Sequence, residues 1–80
     1  MERELEILTN AIVDTLNVYS GEITEDTTFL GDLGADSLDV YQIVMAVEEE
    51  LGITLDNEAI KEVKTVKEAV ELIKKAEAEK

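Results

Sequence analysis

Three times along this chain apolar residues return with the period of an α-helix, and that recurrence limits the fold more than any other feature. Leu5, Leu8, Ile12 and Leu16 recur at i, i+3, i+7 and i+11, with Ile7, Ala11 and Val18 widening the stripe. This predicts an amphipathic helix over roughly residues 2–18, stopped by Ser20-Gly21. After Asp36 the pattern repeats in Val40, Ile43, Val44, Val47 and Leu51, and Gly52 stands where a helix ends in the left-handed conformation. Ile53 and Leu55 bracket an extended link, and Asp56 can cap a brief third helix over about 57–63, with Ile60 and Val63 facing inward. Thr65 and Glu68 have capping-box spacing. Val66, Ala69, Val70 and Ile73, with Leu72 beside them, form the last stripe, and residues 74–80 are expected to fray. The predicted fold is all-α: a small four-helix bundle of three longer helices and one short third helix, with a long loop after helix 1. The 80 residues suffice for one domain, spanning 1–80.

Composition removes most chemistry. There is no His and no Cys, so imidazole-activated nucleophiles, thiolate metal sites and disulfides are all excluded. Carboxylate pairs such as Asp32 with Asp36 or Glu48 with Glu49 lack a pocket that would perturb one of them and hold a substrate. An enzyme is therefore not expected. Nor is a metal site: an EF-hand register starting at Asp26 puts Thr28 and Leu30 at loop positions that need strong oxygen ligands, despite Gly31. No apolar run approaches the about 20 residues of a membrane span, and the start of the chain does not read as a signal peptide, so a cytoplasmic location is expected.

The net charge of −13 is unevenly spread. Between Glu4 and Ile60 lie 14 acidic residues and no Lys or Arg, whereas residues 61–80 carry 6 Lys against 5 Glu. Such a field repels nucleic acid and anionic lipid and attracts basic protein surfaces. Solubility alone is the other reading of it.

Residues 20–35 show no sustained period and read as loop, with Ile23, Phe29, Leu30 and Leu33 as core anchors. On the second helix, the face away from the core carries Asp39, Gln42, Ala46 and Glu49, flanked by Leu38, Met45 and Glu48. Adaptable apolar side chains among carboxylates suit a docking surface. Alternatively, Met45 is half-buried at the helix edge.

Asp32-Leu33-Gly34-Ala35-Asp36-Ser37-Leu38-Asp39 places a serine in the first turn of that helix, directly after a glycine-containing loop. An anion attached there gains from the first-turn N–H groups and is repelled by Asp36 and Asp39. Spacing alone leaves a second reading open, in which Asp36 or Ser37 merely caps the helix.

Gly34-Ala35-Asp36-Ser37-Leu38-Asp39 resembles the prosthetic-group attachment motif of acyl carrier proteins in its fatty-acid-synthase form. Phe29-Leu30-Gly31-Asp32-Leu33 is similar to the family's loop, Val44-Met45-Ala46-Val47-Glu48-Glu49-Glu50 to its second helix, and Lys64-Thr65-Val66 to its approach to the last helix. The resemblance spans nearly the whole chain. It implies a carrier in which Ser37 receives 4′-phosphopantetheine from coenzyme A through a phosphopantetheinyl transferase and presents acyl thioesters to fatty acid biosynthesis enzymes. It also implies a partner face of Asp36, Leu38, Asp39, Gln42, Met45, Glu48 and Glu49, meeting basic patches, and an acyl-chain cavity lined by Phe29, Val47, Leu55, Ile60, Val63 and Leu72. No catalytic residue and no metal is implied, and the expected state is a monomer. The chain departs from the pattern at Gln42, where an acidic residue is usual, at Val40-Tyr41, at Leu51 and at Asp56. These departures leave room for a specialised carrier in a polyketide or aminoacyl pathway. The rival of another class is an unmodified acidic interaction domain in which Ser37 is only a cap.

Overall fold

The computed structural model describes residues 3–79. Four α-helices order these residues: α1 (Arg3–Leu16), α2 (Ser37–Leu51), α3 (Asn57–Glu62) and α4 (Val66–Ala78). One hydrophobic cluster joins them, with Ile12, Ile43, Val47, Val66 and Ile73 the most deeply buried large side chains. Each comes from a stripe that the periodicity marked, so the repeat pattern and the core coincide. α1 packs against α2 and α4 and buries Leu8, Ala11 and Ile12.

The helix ends show where local chemistry competes with periodicity. α1 stops at Leu16, short of the predicted residue 18, because Asn17 turns left-handed (φ 58°) while its N–H still donates to the Val13 carbonyl at 2.8 Å. Asn tolerates this conformation better than most residues, so it closes the helix before Ser20-Gly21 can. The predicted start at Glu2 lies outside the described residues. At the other end of the chain, α4 does not fray from Lys74 but runs on to Ala78. Lys, Ala and Glu are strong helix formers, and Ala76 packs against the core. Lys80 lies outside the described residues. α3 ends at Glu62, leaving Val63 as its extended C-cap. Gly52 closes α2 in the left-handed conformation (φ 66°, ψ 38°) as predicted.

The segment between α1 and α2 is aperiodic yet held throughout. A 3-10 turn occupies Ser20–Glu22. The buried Thr27 accepts the Thr24 N–H through its Oγ1 at 2.9 Å. The loop is then laced to the start of α4: the Phe29 N–H donates to the Lys64 carbonyl (3.1 Å), and the Val66 and Lys67 N–H groups donate to the Thr27 and Glu25 carbonyls (2.9 Å each). A radius of gyration of 11.2 Å matches the about 11.6 Å of a compact chain this long, so the loop is folded down rather than extended. Phe29 is buried, and Ile23 and Leu33 pack partly against the core. Leu30 does not anchor: it is 77% exposed. The tight turn about it, in which Thr28 and Asp32 exchange side-chain-to-backbone hydrogen bonds at 2.9 Å, commits Phe29 to the interior and turns Leu30 outward.

Candidate functional site

Gly34 takes φ +63°, with open space where a side chain would begin, so conformation rather than room demands glycine there. The chain then re-enters the core at Ala35, which is buried and whose N–H donates to the Phe29 carbonyl at 2.8 Å. Asp36 follows in extended conformation as the N-cap of α2. Its Oδ1 accepts the Asp39 N–H at 2.9 Å, while Asp39 Oδ2 accepts the Asp36 N–H at 3.3 Å. This reciprocal capping box settles which residue caps the helix. Ser37 does not: it stands at the first helical position, exposed, its hydroxyl without a hydrogen-bond partner among the described residues. The backbone N–H groups of Ser37 and Leu38 likewise have no partner among the described residues, as expected for the open end of a helix.

From Ser37 a face of α2 runs outward. Leu38 is 65% exposed and Met45 60%, two turns apart, with Tyr41 and Gln42 exposed between them and Glu49 exposed beyond. Met45 is therefore not a half-buried edge residue. Asp36 is also exposed; Asp39 is half-buried, with its carboxylate occupied by the cap. Glu48 behaves differently. It is half-buried, and its Oε2 accepts the Leu55 N–H at 2.7 Å, tying the extended link to α2. The face thus unites Asp36, Leu38, Gln42, Met45 and Glu49, while Glu48 is turned to structural use. Periodicity marked Glu48 as surface, and only the path of the link after Gly52 reveals its partner.

Two hollows lie beneath and beside Ser37. An apolar pocket of about 30 Å³ sits in the core, and Phe29, Val47, Leu55, Ile60, Val63 and Leu72 all line it. It has room for a few water-sized groups and falls far short of an alkyl chain. An open groove of about 830 Å³ runs past Ser37 between the loop, α2 and α3, and shares Phe29, Val40, Ile60 and Val63 with the inner pocket. The groove also takes in Leu30, Tyr41, Lys61 and Lys64. Sequence reasoning did not place these side chains there, although Lys61 and Lys64 open the lysine-bearing tail that ends the acidic run.

The Glu68 carboxyl is held below its ordinary value, first by the Lys64 N–H and then by the Thr65 N–H, donated to its Oε1 at 3.0 and 3.1 Å. Among the described residues no three carboxylates are grouped to hold a metal ion, and no helix is long and apolar enough to cross a membrane.

The site is thus an unencumbered hydroxyl at a helix start, opening on a groove. Comparison with known proteins agrees. Residues 6–73 match the family described as the phosphopantetheine attachment site, which defines a class of carrier domains. The acyl carrier protein of Treponema pallidum (strain Nichols) is 51% identical over 63 residues, covering 79% of this chain and 81% of that protein. That of Petrotoga mobilis is 47% identical over 62 residues (78% and 73% covered), and that of Solidesulfovibrio magneticus 41% over 68 (85% and 87%). A solved structure of the acyl carrier protein from Enterococcus faecalis superposes with a TM-score of 0.75 at 26% identity, covering 91% of this chain and 92% of the other. The chain belongs to the acyl carrier protein family, whose members are non-catalytic carriers of a 4′-phosphopantetheine arm.

Proposed function

We propose that this chain is an acyl carrier that receives 4′-phosphopantetheine on Ser37 and presents acyl thioesters to fatty acid biosynthesis enzymes. The observation that carries the reading is the Ser37 hydroxyl: exposed, unbonded among the described residues, and relieved of capping by Asp36. In the loading step a bond forms between Ser37 Oγ and the phosphorus bearing the pantetheine of coenzyme A. The bond from that phosphorus to 3′,5′-adenosine bisphosphate breaks, and the hydroxyl proton passes to a base of the transferase. The attached arm supplies the thiol that a chain without Cys cannot. Intact mass after incubation with coenzyme A, Mg²⁺ and a broad-specificity transferase tests the assignment. Wild type is expected to gain one phosphopantetheine and Ser37→Ala none; a gain in both would move the site elsewhere.

The partner face is read as Asp36, Leu38, Asp39, Gln42, Met45, Glu48 and Glu49, an exposed apolar strip within an acidic field that recruits basic patches. Glu49 is the cleanest probe, because Asp36 and Asp39 also cap α2 and Glu48 holds the Leu55 N–H. Glu49→Lys is expected to slow loading up to about tenfold at low salt, with the rates converging at high salt. Loading at the wild-type rate in low salt would remove the steering role.

The apolar pocket is read as the seed of an acyl-chain cavity. It must open to take a chain, and each buried CH₂ contributes about 0.8 kcal/mol towards that opening. A monomer working in the cytoplasm, with no nucleic acid partner, completes the reading; the charge of −13 keeps copies apart and repels phosphates.

A further inference from the structure

The Ser37 groove is lined on one side by the helix whose cap consists of two carboxylates and on the other by Lys61 and Lys64. These are the two lysines of an otherwise uncharged lining, in a chain whose preceding 14 charged residues from Glu4 are all acidic. We propose that Lys61 and Lys64 form a cationic wall that draws the phosphodiester of the arm towards α3, so that the arm rests in the groove instead of projecting into solvent. The proposal rests on loading at Ser37.

Both lysines are positioned for this. Lys64 springs from a fixed backbone: its N–H donates to Glu68 Oε1 and its carbonyl accepts the Phe29 N–H, so its root is held at the junction of loop, α3 and α4. Lys61, in the last turn of α3, pairs with Glu58 at 3.8 Å, but both side chains are largely solvent-exposed. Exposed pairs of this kind contribute little, so the ammonium is free to turn to a stronger anion. A phosphodiester on Ser37 stands beside Asp36 and Asp39, whose charges push it away from the α2 cap; the opposite wall offers the attraction. The floor shared with the inner pocket, Phe29, Val40, Ile60 and Val63, is apolar and suits the methylenes of the arm.

The test compares ¹H–¹⁵N spectra of the unloaded and loaded protein, with loading verified by mass. In wild type at low salt, the amides of residues 28–31 and 61–64 are expected to shift on loading. The shifts should shrink severalfold between about 0.1 M and about 1 M NaCl, as the screening length falls from about 10 Å to about 3 Å. Lys61→Gln/Lys64→Gln should lose at least half of them, and Lys61→Arg/Lys64→Arg should keep them. Equal shifts in the Gln double variant, salt-insensitive shifts, or a mass gain that leaves residues 61–64 unmoved would each overturn the wall while sparing the carrier reading. No mass gain would overturn both. Should the Gln variant fold poorly, the wild-type salt series and the Arg variant decide.

Discussion

Two helices in this molecule begin with the same device and put it to opposite ends. α2 opens with Asp36 and Asp39, α4 with Thr65 and Glu68, and in both the N-cap side chain and the N3 side chain satisfy each other's backbone N–H. At α4 everything else is also closed. The first helical residue, Val66, is fully buried, and the N–H groups of Val66 and Lys67 are taken by loop carbonyls. At α2 the first helical residue is Ser37, exposed, and its N–H and that of Leu38 have no partner among the described residues. The capping box is thus a structural commonplace. The residue immediately after the cap, and whether the loop covers it, distinguishes a sealed junction from an open one.

Exchanging character between the two first positions should have the largest effect. Val66→Ser removes buried methyls and leaves a hydroxyl in the core, an expected loss of about 3 kcal/mol in denaturant unfolding, whereas Ser37→Val should stay within about 0.5 kcal/mol of wild type. Similar losses at both positions would erase the contrast. The caps come next. Thr65→Ala should cost about 1 kcal/mol, and Ser37→Ala, which removes no cap, close to nothing. A Ser37→Ala protein destabilised as much as Thr65→Ala would restore the capping role to Ser37.

The smallest effect concerns acid. The Glu68 carboxyl is held low by the Lys64 and Thr65 N–H groups, so its contribution is complete above the ordinary value of 4.5 and is lost as the pH falls through its lowered value. Glu68→Gln keeps an acceptor but cannot titrate. Below about pH 4.5 its stability should therefore fall less steeply with acid than wild type's, a difference visible in paired melts. Parallel curves would show that the Lys64 and Thr65 N–H groups do not favour the charged carboxylate over a neutral acceptor.

What could be read from sequence follows from the range of the forces involved. The stripes of α1, α2 and α4, the Gly52 stop, the Asp56 cap and the Thr65–Glu68 box are all local, set by neighbours within a few positions, and all stand in the structure. The resemblance around Ser37 pointed to the family, and the six residues it implied for a cavity share one small apolar pocket, which as it stands holds no acyl chain. Features that depend on distant partners were not legible. The pairing of Thr28 with Thr65 and the hydrogen bonds beside it fold the loop down on the start of α4, where Lys61 and Lys64 meet the groove that Ser37 opens on. The outward turn of Leu30 and the use of Glu48 on Leu55 are tertiary choices of the same kind. One local signal was available and unread: Asp36 and Asp39 have the same i, i+3 spacing as Thr65 and Glu68.

The most direct test of the central claim is to locate the modification. After loading from coenzyme A, fragmentation mass spectrometry should find phosphopantetheine on the fragment containing Ser37, and none on the fragment containing Ser20, the chain's only other serine. A folded protein that gains no mass, or gains it at Ser20, would contradict the account.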